Sequence, residues 1–187
     1  MIWILTSPKF FILNQKTTPK FMKLPLAERR KLSVYEADRL RELGKVVAHA
    51  VEATARNVTR GETEEEIAGH VAHRLLRHGT EPFGIQVTAD GRGQLYRRRG
   101  FRGVPIERWC TIQVTGRKFG LHATVARTLH FGPMSEELRG EFDLAFKLVA
   151  AQLVCAKPNE RTSGVCEISK ATLRNTPYEH EWRATVP

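Results

Sequence analysis

Residues 110 to 131 read CTIQVTGRKFGLHATVARTLHF, an alternating, β-branched run with Gly116 and Gly120 near its middle. Alternation sends successive side chains to opposite faces of a strand, so this run predicts one long β-hairpin from Cys110 to Phe131. With the turn centred on Arg117 and Lys118, Gln113 lies opposite His122 and Thr111 opposite Thr124, all on one polar face. Ile112, Val114, Leu121, Ala123 and Val125 then line the other face, which needs a cover.

The segments before the hairpin supply helices for that purpose. Ser33 followed by Glu36 has capping-box spacing and opens a helix whose apolar positions Val34, Leu40, Leu43, Val47, Ala50, Val51 and Thr54 keep helical period to about Arg56. Thr63 and Glu66 repeat the signature, with three acids in the first turn, before the stripe Ile67, Ala68, Val71, Ala72, Leu75 and Leu76 and a stop at Gly79. His70 and His73 project from the opposite face of this second helix and read as solvated residues rather than metal ligands. Phe83 to Thr88 reads as a short strand, and the Gly- and Arg-rich run Asp90 to Gly103 as a loop.

After the hairpin, Ser135 with Glu136 and Glu137 opens a helix through Leu138, Phe142, Ala145, Phe146, Val149 and Leu153, which Lys157-Pro158-Asn159 stops. A shorter helix from about Ser163 to Asn175 follows. The leader MIWILTSPKFFIL is apolar but broken by Ser7, Pro8 and Lys9. It has neither the charged start and cleavage site of a signal peptide nor the length of a membrane span. Residues 1–25 are therefore set aside as a disordered leader or a mis-assigned start, and 26–187 as the domain.

The 187 residues hold 30 Lys and Arg against 20 Asp and Glu, a net charge of +10. That excess attracts polyanions at low salt without specifying a fold. Three widely spaced cysteines argue against a disulfide framework and for a reducing, cytoplasmic setting. Cys110 and Cys155 sit in apolar patterns that suit packing better than nucleophilic chemistry.

The order of two helices, strand, loop, long hairpin and helix resembles the first half of the creatinase and aminopeptidase family, whose pita-bread fold includes Xaa-Pro and methionine aminopeptidases. Gly61-x-Thr63-Glu64-x-Glu66-Ile67-Ala68 resembles that family's opening of its second helix, with Arg60 in place of the usual Pro. Gly91 is similar to the glycine that introduces the loop. Arg127-Thr128 followed by Gly132 resembles the close of the hairpin, and Lys157-Pro158-Asn159 the family's K-P-G. The resemblance spans about Ser33 to Asn159 and implies an α+β, partial pita-bread fold with helices on one curved, mostly antiparallel sheet.

What it implies about chemistry is largely a loss. Metal-dependent members hold two divalent ions with two aspartates 11 residues apart on this hairpin, together with ligands from a second half. A two-metal site needs anionic hard oxygens because both dications share one activated water. Here those positions fall on Gln113 and Thr124, which keep the spacing but not the charge. Creatinase, the metal-free member, relies instead on a histidine before the hairpin, and its place falls near Arg98. His122 is the remaining titratable candidate on the polar face, as a proton carrier beside Thr111, Gln113 and Thr124 or as a hydrogen-bonded structural histidine.

Arg97, Arg98, Arg99, Arg102 and Arg108, interleaved with Tyr96, Phe101 and Trp109, form a basic and aromatic cluster. Such a cluster can neutralise phosphates and stack on unpaired bases. It also suits an acidic partner or plain solvation. The sequence therefore supports three expectations. One is a peptidase-family domain without metal or other cofactor, taking a small peptide-like substrate and completed by a second half or by homodimerisation. The second is a non-catalytic module binding nucleic acid or an acidic protein. The third is a fragment of a longer metal-dependent aminopeptidase. None involves a membrane.

Overall fold

Two capping boxes begin the helical layer. Ser33 Oγ accepts from the Glu36 backbone N–H at 3.2 Å, and the Glu36 carboxylate accepts from the Ser33 N–H at 2.8 Å. Thr63 and Glu66 repeat both bonds at the same distances. Each box satisfies N–H groups that a helix start leaves open.

The computed structural model describes residues 2–5, 32–92, 101–157 and 162–182. In chain order these form β1 (Ile2–Leu5), α1 (Val34–Asn57), α2 (Glu64–Arg77), β2 (Glu81–Ala89), β3 (Trp109–Lys118), β4 (Leu121–Phe131), α3 (Glu136–Cys155) and α4 (Thr162–Leu173), with a single 3-10 turn at Glu179–Glu181. Within the expected 26–187 domain the chain clusters into two compact units, which divide after Ser135. No helix among the described residues is long and apolar enough to cross a membrane.

The first unit is a four-stranded antiparallel sheet in the order β1-β4-β3-β2 with α1 and α2 on one face. Leu43, Val47, Ala50 and Val51 of α1 and Ile67, Val71 and Leu75 of α2 are buried with Val87, Cys110, Ile112, Val114 and Leu129 of the strands. β1 departs from the expectation that residues 1–25 stand outside the fold, because Ile2 to Leu5 pair with Phe131 to Thr128. The reading missed it because a strand of four residues leaves little periodicity to detect.

The hairpin forms as expected, but its register differs. The turn is Phe119-Gly120, two residues further along than the sequence suggested, and Lys118 pairs with Leu121. Phe119 and Gly120 have φ of 55° and 75°, the left-handed pair of values whose twist matches that of the flanking strands. Gly116 lies inside β3, where α1 packs closely on it. A Cβ there would lie 2.5 Å from Val47 Cγ2 and 2.9 Å from Thr80 Cγ2. The shift of two residues preserves the faces while changing every cross-strand partner.

Two carboxylates anchor the connection between β2 and β3. Glu64, 1% exposed at the start of α2, accepts from the Ala89 N–H at 2.9 Å, the Arg102 N–H at 3.0 Å and Arg92 Nε at 2.9 Å, and its second oxygen is ion-paired with Arg92 Nη2. Asp90 accepts from the N–H groups of Glu107, Arg108 and Trp109 at 3.0, 2.9 and 3.0 Å. Partial burial works to raise the Asp90 pKa, but the three backbone donors outweigh it and hold the group below its ordinary 3.8. Ile106 and the residues entering α2 exchange Gly61 N–H to Ile106 O and Ile106 N–H to Glu62 O bonds, so the returning loop is tied to the helix layer.

The second unit places α3 and α4 side by side. Its buried position on α3 is Leu148, whereas Phe146 and Leu153, expected on the inner stripe, are each 54% exposed. Leu148 and Gln152, which bonds Ser169 of α4, mark the side of α3 turned to its neighbour.

Two measurements test this account. Gly116→Val should destabilise the chain by about 1–3 kcal/mol through overpacking, read as a lower urea midpoint with an unchanged slope. Asp90→Asn should cost about 1–2 kcal/mol at neutral pH, allowing for the partial exposure of the group. Because the folded pKa lies below the unfolded one, the carboxylate's contribution is complete above the ordinary value. It is lost as pH falls through the folded value. The gap in urea midpoint between wild type and Asp90→Asn should thus be constant from about pH 5 to 8 and close below about pH 4.

Candidate polar site on the hairpin

The face of the hairpin turned away from α1 carries five rows of opposed residues. From the far end to the turn they are Trp109 with His130, Thr111 with Thr128, Gln113 with Ala126, Thr115 with Thr124, and Arg117 with His122. β2 continues the rows with Thr88, Gln86, Gly84 and Glu81 beside Thr111, Gln113, Thr115 and Arg117. The correction to the register therefore changes the site. Gln113 faces Ala126 rather than His122, and Thr111 faces Thr128 rather than Thr124.

Gln113 and Thr124 nevertheless remain neighbours. Eleven residues around a two-residue turn place them on one face in adjacent rows, a diagonal of about 7–8 Å between backbones. The threonines join in pairs, with Thr111 Oγ1 to Thr128 Oγ1 at 3.0 Å and Thr115 Oγ1 to Thr124 Oγ1 at 2.9 Å. In such a pair one hydroxyl donates and the other keeps its hydrogen, so each pair retains one O–H and several lone pairs for a ligand. The Gln113 amide lies between the two pairs with both a donor and an acceptor.

His122 stands apart from this cluster. It is two rows from Gln113, about 13 Å along the strand, and exposed beside the turn. Its ring lies 4.6 Å from that of Phe83, and the Arg117 guanidinium sits 5.0 Å from the same ring. Arg117 is held in a two-pronged pair by Glu81, with Nε to Oε2 at 2.8 Å and Nη2 to Oε1 at 2.7 Å. The sequence reading missed this group because the bulge between Pro82 and Gly84, which aims Phe83, has no clear sequence signal.

The donor set does not fit a pair of divalent ions. An amide and hydroxyls are neutral and cannot offset two dications. Among the described residues no cluster of three or more His, Cys, Asp and Glu is placed to hold a metal. His70 and His73 are exposed on α2. Cys110 is buried beneath the hairpin, where desolvation, aided by nearby acids, pushes its thiol up to about 12, far from a nucleophilic state.

Of the basic cluster, Arg97, Arg98 and Arg99 lie outside the described residues. Arg102 and Arg108 are exposed, on backbone that Glu64 and Asp90 respectively hold. The sequence did contain a signal for Glu64, which falls three and four residues before Ile67 and Ala68 and so belongs to the buried stripe. The Arg127-Thr128 pair acquires a physical role as well. Arg127 Nε donates to Glu52 on α1 and its Nη1 to Ala126 O, while Thr128 bonds Thr111 on the other face.

Comparison with known proteins bears on the fold. A model of metallopeptidase family M24 matches residues 38–184. No curated protein matches the sequence. Among solved structures, an X-Pro aminopeptidase from Thermotoga maritima superposes with a TM-score of 0.73 at 18% identity, over 80% of this chain and 43% of that one. A prolidase from Pyrococcus furiosus gives 0.72 at 20% identity over 79% and 45%. Escherichia coli aminopeptidase P, solved as a Glu383Ala variant with substrate, gives 0.65 at 18% over 75% and 34%. The chain spans less than half the length of these structures, and likeness at such identities concerns the fold. With a family match over most of its length and a partial pita-bread fold, the chain belongs to metallopeptidase family M24.

Proposed function

We propose that this chain is a metal-independent member of the family whose hairpin face binds a small peptide-like ligand through uncharged hydrogen bonds, without hydrolysing it unaided. The observation that carries the reading is the pairing of Gln113 and Thr124 on adjacent rows of one face, at the two places where the resemblance puts metal-binding aspartates. Thr111 completes the set, and Phe83 with His122 gives the face an aromatic end. The position of His122, two rows away and exposed, favours a contact residue over an acid-base catalyst. A complementing second half, or a second copy of the chain, is proposed to complete the binding surface, and a cytoplasmic setting suits the free thiols.

A second reading draws on the exposure of Arg102 and Arg108 with Phe101 on a backbone anchored by Glu64 and Asp90. A basic, aromatic-bearing loop of that kind suits nucleic acid. It calls for binding that weakens steeply with salt and falls further on Arg102→Ala with Arg108→Ala.

The first reading is tested on the purified chain at pH 7 to 8 with Mn(II), Co(II) and Zn(II) and with Xaa-Pro dipeptides. The expected outcome is less than one metal equivalent after dialysis and no dipeptide hydrolysis above the blank. Saturable dipeptide binding should weaken about tenfold in Gln113→Ala, the loss of roughly one good hydrogen bond. Stoichiometric metal with hydrolysis would overturn the proposal, and so would dipeptide binding indifferent to Gln113.

A further inference from the structure

The second unit contains a feature that the peptide-binding reading leaves unused. Gln152 Nε2 of α3 donates to Ser169 Oγ of α4 at 2.9 Å, and Ser169 is buried. Near the other end of α3, Glu141 accepts from the Tyr178 hydroxyl, beyond α4. Early residues of α3 thus meet late ones of the following segment, and the two helices run antiparallel.

The Gln152–Ser169 contact sets the register of the pair. Four residues back along α3 and four forward along α4 lie Leu148 and Leu173, both buried. Three residues in the opposite sense on each helix lie Cys155 and Cys166. Steps of three and four keep residues on one helix face, so Leu148, Gln152 and Cys155 form one seam and Cys166, Ser169 and Leu173 the facing one. Both cysteines are free and half-buried. The small Ser169 at the contact lets the helices approach closely, as the Cα separation of about 4.4–6.8 Å in a disulfide requires.

We infer that Cys155 and Cys166 form a facing thiol pair that a small-molecule disulfide oxidises to a bond stapling α3 to α4. The oxidant is of the glutathione disulfide class. One cysteine thiolate attacks its S–S bond, forming a mixed disulfide and releasing one glutathione thiol. The second cysteine thiolate then attacks the protein-side sulfur and expels the other glutathione. Two cysteine thiols give up two protons and two electrons, and one glutathione disulfide becomes two thiols. Disulfides of this kind in reducing compartments are transient and regulatory rather than structural.

The full chain, incubated with excess glutathione disulfide, should lose two hydrogens by intact mass. Peptide mapping should show a Cys155–Cys166 link and an unmodified Cys110. A connection this short can also close in an unfolded chain, so the same measurement is made in concentrated urea. The effective concentration of the pair should be at least about tenfold higher in the native chain than in urea. Cys155→Ser and Cys166→Ser should each abolish the two-hydrogen loss and leave a single glutathione adduct on the remaining partner. Glutathione adducts on both cysteines without a link, a link to Cys110, or a native value no higher than that in urea would overturn the inference. If a serine variant fails to fold, the native-to-urea ratio of the wild type decides.

Discussion

The two left-handed residues at the tip of the hairpin govern the rest of the first unit. Once Phe119 and Gly120 close the turn, Lys118 must pair with Leu121, and every row down to Trp109 and His130 follows without a free choice. The same register aims Ile112, Val114 and Leu129 at the helices and Thr111, Gln113 and Thr124 away from them. It also places Gly116 beneath Val47, where only a residue without a Cβ lets α1 settle on the sheet. Turn, helix packing and polar face are thus one constraint met in three places.

Buried charge plays the corresponding part in the connection between β2 and β3. Leaving Glu64 inside without partners would be prohibitive, since isolated buried carboxylates are among the most costly groups in a protein. Its bonds to two backbone amides and to Arg92 turn that cost into a requirement that the chain follow one path. Asp90 does the same by a local route, gathering three consecutive amides at the start of β3. The loop that carries Phe101, Arg102 and Arg108 is held at both ends by these carboxylates.

Gln113 and Thr124 put no charge on their two adjacent rows of the hairpin face. Two carboxylates on adjacent rows would repel by about 2 kcal/mol at an effective dielectric of 20. Dications can offset that repulsion, and Gln113 with Thr124 does not generate it. The threonine pairs extend the same economy, satisfying each other while keeping spare hydrogen-bonding capacity. Around Gln113 the face thus offers hydrogen-bond donors and acceptors, and its charged pair, Arg117 with Glu81, sits at the turn end.

Much of this was legible in the residues themselves, because the signals concerned are local. The capping boxes at Ser33 and Thr63, the period of two from Cys110 to Phe131 and the neutrality of positions 113 and 124 each depend on neighbours within a few residues or on side-chain chemistry alone. What the sequence could not decide depended on distant contacts. The residues alone allowed a turn centred on Arg117 and Lys118 as well as the observed one at Phe119 and Gly120, and Gly116 sits inside β3 against Val47 of α1. Glu64 read as a helix-start acid until β2 and the returning loop brought it partners, and Ile2 to Leu5 became a strand only beside β4. The Gln152–Ser169 bond, which sets α3 against α4, likewise depends on residues 17 apart in the chain. Local periodicity fixes which face a side chain takes, and tertiary packing decides what stands opposite it.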